Sequence, residues 1–204
     1  NNTLTYYGAL SHYGEDIPLA CVGVISKVNI LMLGFTLGIS QGCQPIFSYN
    51  YGARQYSRVR EAYRKAIVAA SIICCIAFVC FQLFPRPIVA LFDPSGSEEY
   101  FQFAERYFRI YMFMTLANAF QPITANFFTS IGKAKRGALI ALTRQVIFLI
   151  PLILIFPLFL GIDGVMYAGP IADSAAVVVA LALVTREMKR MPHVDEPVAA
   201  DTLV

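Results

Sequence analysis

Five stretches of this 204-residue chain run for about the thickness of a bilayer with almost no charge in them. Val28 to Ala53, Ala66 to Phe84, Ile110 to Gly132 and Gln145 to Ile162 hold no charged residue, and Val165 to Thr185 holds only Asp173. A helix of about 20 such residues crosses the hydrocarbon core, and it satisfies its own backbone hydrogen bonds there. Composition agrees: 57% hydrophobic and 14% charged residues, with mean hydropathy +0.61, are too apolar for an ordinary soluble domain. An all-α integral membrane protein follows, a multi-pass chain whose first partner is the lipid bilayer. The first span is read as starting near Ile17, which puts Lys27 inside it.

Charge distribution matters more than the net charge of +3, which is too small to suggest a nucleic acid partner. Arg54, Arg58, Arg60, Arg64 and Lys65 follow the first span, Lys133, Lys135 and Arg136 the third, and Arg186, Lys189 and Arg190 the fifth. Basic clusters resist translocation, so these ends and the C-terminus are expected in the cytoplasm. The opposite ends carry Glu15, Asp16, Asp93, Glu98, Glu99 and Asp163, with Arg86 a basic neighbour, and are expected outside. Cys21, Cys43, Cys74, Cys75 and Cys80 lie within or at the edge of spans and read as buried thiols. His12 and His193 lie outside the spans, so no metal site and no cofactor are expected. An integral membrane enzyme, the remote alternative, would need a cluster of His, Cys or carboxylates at one membrane face, and the sequence offers none.

The expected organisation is five full transmembrane helices plus the end of a sixth at Asn1 to Leu10, followed by an external turn at Gly14 to Asp16. Gly52 is read as the turn into a short basic amphipathic segment, with the second span rising from Ala66 to Phe84. Pro85-Arg86-Pro87 breaks it, and Ile88 to Phe92 lies along the interface before a turn at Asp93 to Gly96. The third span starts near Tyr107, the fourth covers Gly137 to Leu160, and the fifth Gly164 to Thr185. Residues 1–190 form one membrane domain, and 191–204 a cytoplasmic tail expected to be disordered. Pro45, Pro122, Pro151, Pro157 and Pro170 fall within or beside spans, where each can bend its helix.

Ionisable groups deep in a membrane are functional candidates by default. Rise per residue places Lys27 about 15 Å and Asp173 about 12 Å below the external ends of their helices, and Arg144 about 10 Å above its internal end. All three fall in the middle third of the core, and a pairing of Lys27 with Asp173, direct or across a short polar network, is expected. Gly23, Gly34, Gly38, Gln41 and Pro45 lie within about 40° of Lys27 on its helix, a small-residue stripe expected to face the protein interior. On the third span Thr115, Asn118, Gln121, Asn126 and Thr129 share an arc of about 140°. That arc suits cavity lining and interhelical hydrogen bonding equally.

Beside these features stand motifs. Gln41, Gln44 and Pro45 ahead of Asn50-Tyr51-Gly52-Ala53-Arg54, with Tyr56, Arg58, Val59, Arg60 and Arg64 behind, resemble the multidrug and toxic compound extrusion (MATE) family. Phe128-x-x-x-Gly132-Lys133-Ala134 looks like the end of that family's tenth helix, Arg144-Gln145 with Pro151-Leu152 like its eleventh, and Gly161-Ile162-x-Gly164-Val165 with Pro170-Ile171-Ala172-Asp173 like its twelfth. The resemblance implies the C-terminal six-helix bundle of a secondary active multidrug exporter, which works against an N-terminal bundle of the same transporter. Its small-molecule substrates are amphipathic or cationic compounds, exchanged for H+ or Na+, in the plasma membrane and there the bacterial inner membrane. One departure stands out: where members with a cation site in this bundle carry a carboxylate on the tenth helix, this chain has Asn118. A lipid-linked oligosaccharide flippase of related architecture is the alternative, because Lys27 and Arg144 would suit a phosphate. Candidates for the substrate or ion pathway are Lys27, Gln41, Gln44, Asn118, Gln121, Asn126, Arg144 and Asp173.

Overall fold

The computed structural model describes residues 6, 10, 16–92, 94, 96–192 and 195, with the side chain of Asn118 left aside. The expected helix end at Asn1 to Leu10, apart from Tyr6 and Leu10, thus lies outside the described residues, as do Asp93 and Ser95 of the expected turn. Among the described residues the chain runs α1 (Asp16–Gly52), α2 (Tyr56–Leu83), α3 (Pro85–Phe92), α4 (Glu98–Tyr111), α5 (Ala117–Ser130), α6 (Ala134–Leu142), α7 (Ile150–Leu160) and α8 (Ile162–Arg190). A 3-10 turn at Met112–Met114 joins α4 towards α5, and a π-helical stretch at Thr143–Leu149 joins α6 to α7. Four rods, α1, α2, Ala134–Leu160 and α8, are long and apolar enough to cross a membrane.

Two spans are longer than the charge pattern suggested. The basic segment before Ala66 is not a separate piece, because α2 is helical without a break from Tyr56. Of the five spans expected, four are single rods among the described residues. The third is broken by the 3-10 turn at Met112–Met114, and its first helix, α4, begins not at Tyr107 but at Glu98, where the Ser97 hydroxyl caps it by accepting the Tyr100 N–H at 3.1 Å. Its apolar residues Tyr100, Phe103, Ala104, Tyr107 and Phe108 follow the helical period and are all buried.

The turn between α1 and α2 also differs from expectation. Gly52 is still helical; the left-handed residue is Arg54, at φ 56°. The Gln55 N–H reaches the Asn50 carbonyl at 2.9 Å and the Arg54 N–H the Tyr51 carbonyl at 3.1 Å, the two crossed bonds of a Schellman stop. The same pattern ends α5, with Gly132 at φ 77° in the left-handed position and Lys133 bonded back to Phe128 at 2.8 Å.

Two apolar cores fill the bundle. At the acidic end α1, α2, α3 and α4 meet around Cys21, Ile25, Phe81, Val89 and Phe108, with the Phe81 and Phe108 rings edge to face at 5.4 Å. At the basic end Phe47 of α1, Tyr63 of α2 and Phe127 of α5 interlock, with Phe47 and Phe127 edge to face at 5.3 Å. The outward stripe Val68, Ile72, Ile76, Val79 and Leu83 on α2 is exposed, as are Leu154, Leu158 and Phe159 on α7. Such faces belong against lipid. Tight packing near the ends needs glycine at two places. A Cβ on Gly137 would lie 2.7 Å from the Ala125 carbonyl oxygen, and one on Gly164 would lie 2.5 Å from the Phe156 backbone.

The basic ends are tied together by charge. Glu187 of α8, fully buried, takes both Lys133, the residue before α6, and Arg136 in the first turn of α6. Past α8, Arg60 donates to the Pro192 carbonyl at 3.1 Å, and the Asp195 carboxylate accepts the Ser57 N–H at 2.9 Å together with its hydroxyl. Gln55, the residue before α2, makes no side-chain cap, so Asp195 caps this helix from the other end of the chain. Those Ser57 hydrogen bonds, the hydroxyl first and then the N–H, hold the Asp195 carboxyl below the usual range.

Candidate functional site

A buried ion pair and an open polar face divide the intramembrane polar residues between them. The pair is Arg144 with Asp173, whose side chains are only 19% and 11% exposed. Arg144 Nε donates to Asp173 Oδ1. Asp173 sits on the buried stripe of α8 with Ala172, Ala176 and Ala180, small residues that let the neighbouring rod approach. Arg144 lies in the π-helical stretch, where the Ile150 N–H reaches back to the Gln145 carbonyl. Pro151 follows directly and has no N–H of its own, so the wider turn is the way this rod absorbs a proline in its middle. Tyr111 closes the site from α4: its ring would lie 2.8 Å from a Cβ on Gly169, one turn before Asp173, and it is within electrostatic reach of both charges.

The expected pairing of Lys27 with Asp173 is therefore corrected. The depths agree, but Asp173 faces the α6–α7 rod and Lys27 does not face α8. Lys27 is exposed on α1, without a hydrogen bond or ion pair among the described residues. Its companions Gly23, Gly34, Gly38, Gln41 and Pro45 are exposed with it, and a Cβ on Gly23, Gly34 or Gly38 would meet nothing within 4 Å. The stripe forms as predicted, but it faces away from the bundle: α1 spends its other side, Cys21, Ile25, Val28, Met32, Thr36, Ser40 and Phe47, on the core. Gln44 is half-buried beside this face, and the Ser48 hydroxyl bonds its carbonyl at 3.1 Å. Pro45 has no N–H to give the Gln41 carbonyl, which adds an acceptor at the same level.

The polar arc of the third span resolves into helix contacts. Gln121 Nε2 donates to the Ile140 carbonyl at 3.1 Å, tying α5 to α6. Asn126 Nδ2 donates to the Ser40 hydroxyl at 2.7 Å, and Ser40 in turn donates to the Pro122 carbonyl at 3.3 Å, tying α5 to α1. Thr115 and Thr129 bond carbonyls of their own span, at 2.6 and 3.1 Å. The Asn118 side chain lies outside the described residues. Sequence reasoning missed Glu187, Ser40 and Tyr111. The period of α8 would have found the first, because Asp173, Ala176, Ala180, Val184 and Glu187 fall on one buried stripe.

Known proteins place this geometry. The chain is 22% identical over 175 residues to a multidrug export protein, MepA, of Staphylococcus aureus, and the match covers 86% of this chain but 38% of the relative. A MepA of Staphylococcus haemolyticus is 23% identical over the same share. Among solved structures, the outward-facing conformation of a multidrug resistance MATE family transporter superposes with TM-score 0.82 at 19% identity, over 93% of this chain and 42% of that one. The chain thus spans about two fifths of the length of the proteins it matches. The model of the MatE family matches residues 4–155, from before α1 into α7, and with the helical membrane architecture it makes this chain a member of that family.

Proposed function

We propose that this chain is the C-terminal bundle of a secondary active exporter of amphipathic, often cationic compounds, with the open face of α1 lining a pathway shared with an N-terminal bundle. The observation that carries the reading is that face: a glycine-rich helix side that bears Lys27 at mid-membrane depth and Gln41 about 21 Å further in, beside exposed Leu31 and Phe35, and that no described residue covers. Such a surface costs stability against lipid and is relieved by water or a second bundle. The coverage of two fifths of each relative agrees with one bundle of two, and those relatives are named for multidrug export. Exchange for H+ or Na+ completes the scheme, in a membrane where the basic ends and the C-terminus lie in the cytoplasm.

One observation bears on the flippase reading. Asp173 neutralises Arg144, so one of the two cations that would suit a phosphate is already occupied. Lys27 alone remains for it, and because the relatives are named for multidrug export, export is the stronger reading although Lys27 is a like charge for an organic cation. Proteoliposomes holding this chain assembled with an N-terminal bundle test both. Uptake of tetraphenylphosphonium driven by an imposed proton or sodium gradient is expected. Movement of a polyprenyl pyrophosphate sugar without it would favour the flippase, and neither movement would remove the transport proposal.

A further inference from the structure

At the basic end α1 and α2 part to leave a groove of about 530 Å³, of a size that holds a small organic ligand. Its inner wall is apolar: Ile39, Cys43 and Ile46 from α1 face Ala62, Ala66 and Ala69 from α2. The groove exists because these alanines, one helical turn apart, do not fill the space that larger side chains would. Its outer end is polar, with Asn50 on one wall and Arg58, Glu61 and Lys65 on the other. Lys65 is taken by Glu61, Nζ to Oε1 at 2.7 Å. Arg58 makes no hydrogen bond or ion pair to a described residue, so one net positive charge is left at the mouth.

An apolar slot continuous with a single cationic mouth, at the level where a membrane helix leaves the hydrocarbon, matches an acyl chain joined to a phosphodiester. From Ile39 to Asn50 the groove spans about 16 Å along α1, the reach of most of an acyl chain. We infer that this groove binds one anionic phospholipid, its acyl chain between Ile39, Cys43 and Ala66 and its phosphate on Arg58. The Asn50 amide, one of whose N–H groups is held by the Ile46 carbonyl at 2.8 Å, stands opposite Arg58 to bond the headgroup. The bound lipid would seal α1 to α2 where Arg54 turns the chain in a left-handed conformation. This site lies apart from the open face of Lys27 and does not depend on the transport proposal.

Native mass spectrometry of the full chain, released from nanodiscs of phosphatidylcholine with a minor share of phosphatidylglycerol, tests it. One retained phosphatidylglycerol in preference to phosphatidylcholine is expected. Arg58→Gln lowers that preference about fivefold, the weight of one basic side chain at an anionic headgroup. Ala69→Leu, at an exposed alanine that lines the slot, lowers retention of both lipids. Lys189→Gln removes an equal charge from the exposed basic end away from the groove and changes neither. Equal effects of Arg58→Gln and Lys189→Gln would reduce the preference to general surface charge and overturn the site. Unchanged retention in Ala69→Leu would overturn the seat of the acyl chain. Loss of the lipid on assembly with an N-terminal bundle would assign the groove to that bundle instead.

Discussion

Arg144 and Lys27 are two cations at comparable depth in one membrane domain, and the fold treats them in opposite ways. Arg144 is turned inward by a widened helical turn ahead of Pro151 and is held by a carboxylate on the neighbouring rod. Lys27 sits on a glycine-lined side of α1 with no partner among the described residues. Depth in the membrane is thus not what makes a charge structural or available. The rotation of its helix decides, and in α1 rotation is fixed by the demand of the core for Cys21, Ile25, Val28 and Met32. The contrast separates a region built to be stable from one left for something else to contact.

The largest effect is expected at the buried pair. Asp173→Asn leaves Arg144 four fifths buried without its counter-charge, at a cost of about 3–5 kcal/mol. The yield of monodisperse protein in detergent should collapse accordingly. Replacing both partners, Arg144→Met with Asp173→Leu, leaves no orphan charge and should recover most of that yield. Lys27→Met should not rescue Asp173→Asn. A rescue would restore the Lys27 pairing and break the contrast.

A smaller effect is expected at Glu187, also buried and also paired, but differently placed. Its partners Lys133 and Arg136 keep 35% and 37% of their side chains exposed, so both can rehydrate when the carboxylate goes. Glu187→Gln should therefore cost about 1.5–3 kcal/mol, in the range of hydrogen bonds to charged groups. A lower thermal midpoint with an intact yield would mark that outcome. Damage as severe as that of Asp173→Asn would mean that burial of the carboxylate alone, not of its partners, sets the cost.

These residues also mark how far the sequence could be read. The spans were legible because bilayer thickness fixes their length: the run Val165 to Thr185 falls inside α8, and Ala66 to Phe84 passes the end of α2 by one residue. Their ends were not, since a charge count stops at Lys65 or Arg109 while the helix continues through both. Gly52 misled because glycine is the usual left-handed residue, yet the chain closes its Schellman stop on Arg54. For Asp173, rise per residue gave the right level but not the right neighbour, because lateral order between helices leaves no trace in depth arithmetic. The polar arc at Gln121 and Asn126 suited a cavity and a helix contact equally, and only the positions of Ile140 and Ser40 distinguish them. Glu187 was readable from the period of α8 but lay beyond the charge-free run that drew attention.

The smallest effect on stability, and the sharpest test of the contrast, belongs to Lys27. A side chain with no partner among the described residues has little to lose when it is replaced, so Lys27→Gln should change the stability of this chain by no more than about 0.5 kcal/mol. Binding should respond where stability does not. If the open face of α1 lines the pathway, removing its cation removes a like charge from the site of an organic cation. In this chain assembled with an N-terminal bundle, the Kd for tetraphenylphosphonium should then tighten about fivefold, roughly 1 kcal/mol for one partly solvated charge. The same substitution at Arg144 could not give this pattern, because it would first leave Asp173 buried alone. Destabilisation by Lys27→Gln as large as that of Glu187→Gln would show that Lys27 is held in the folded chain after all. Unchanged stability with unchanged affinity would keep Lys27 available but take it out of the substrate pathway.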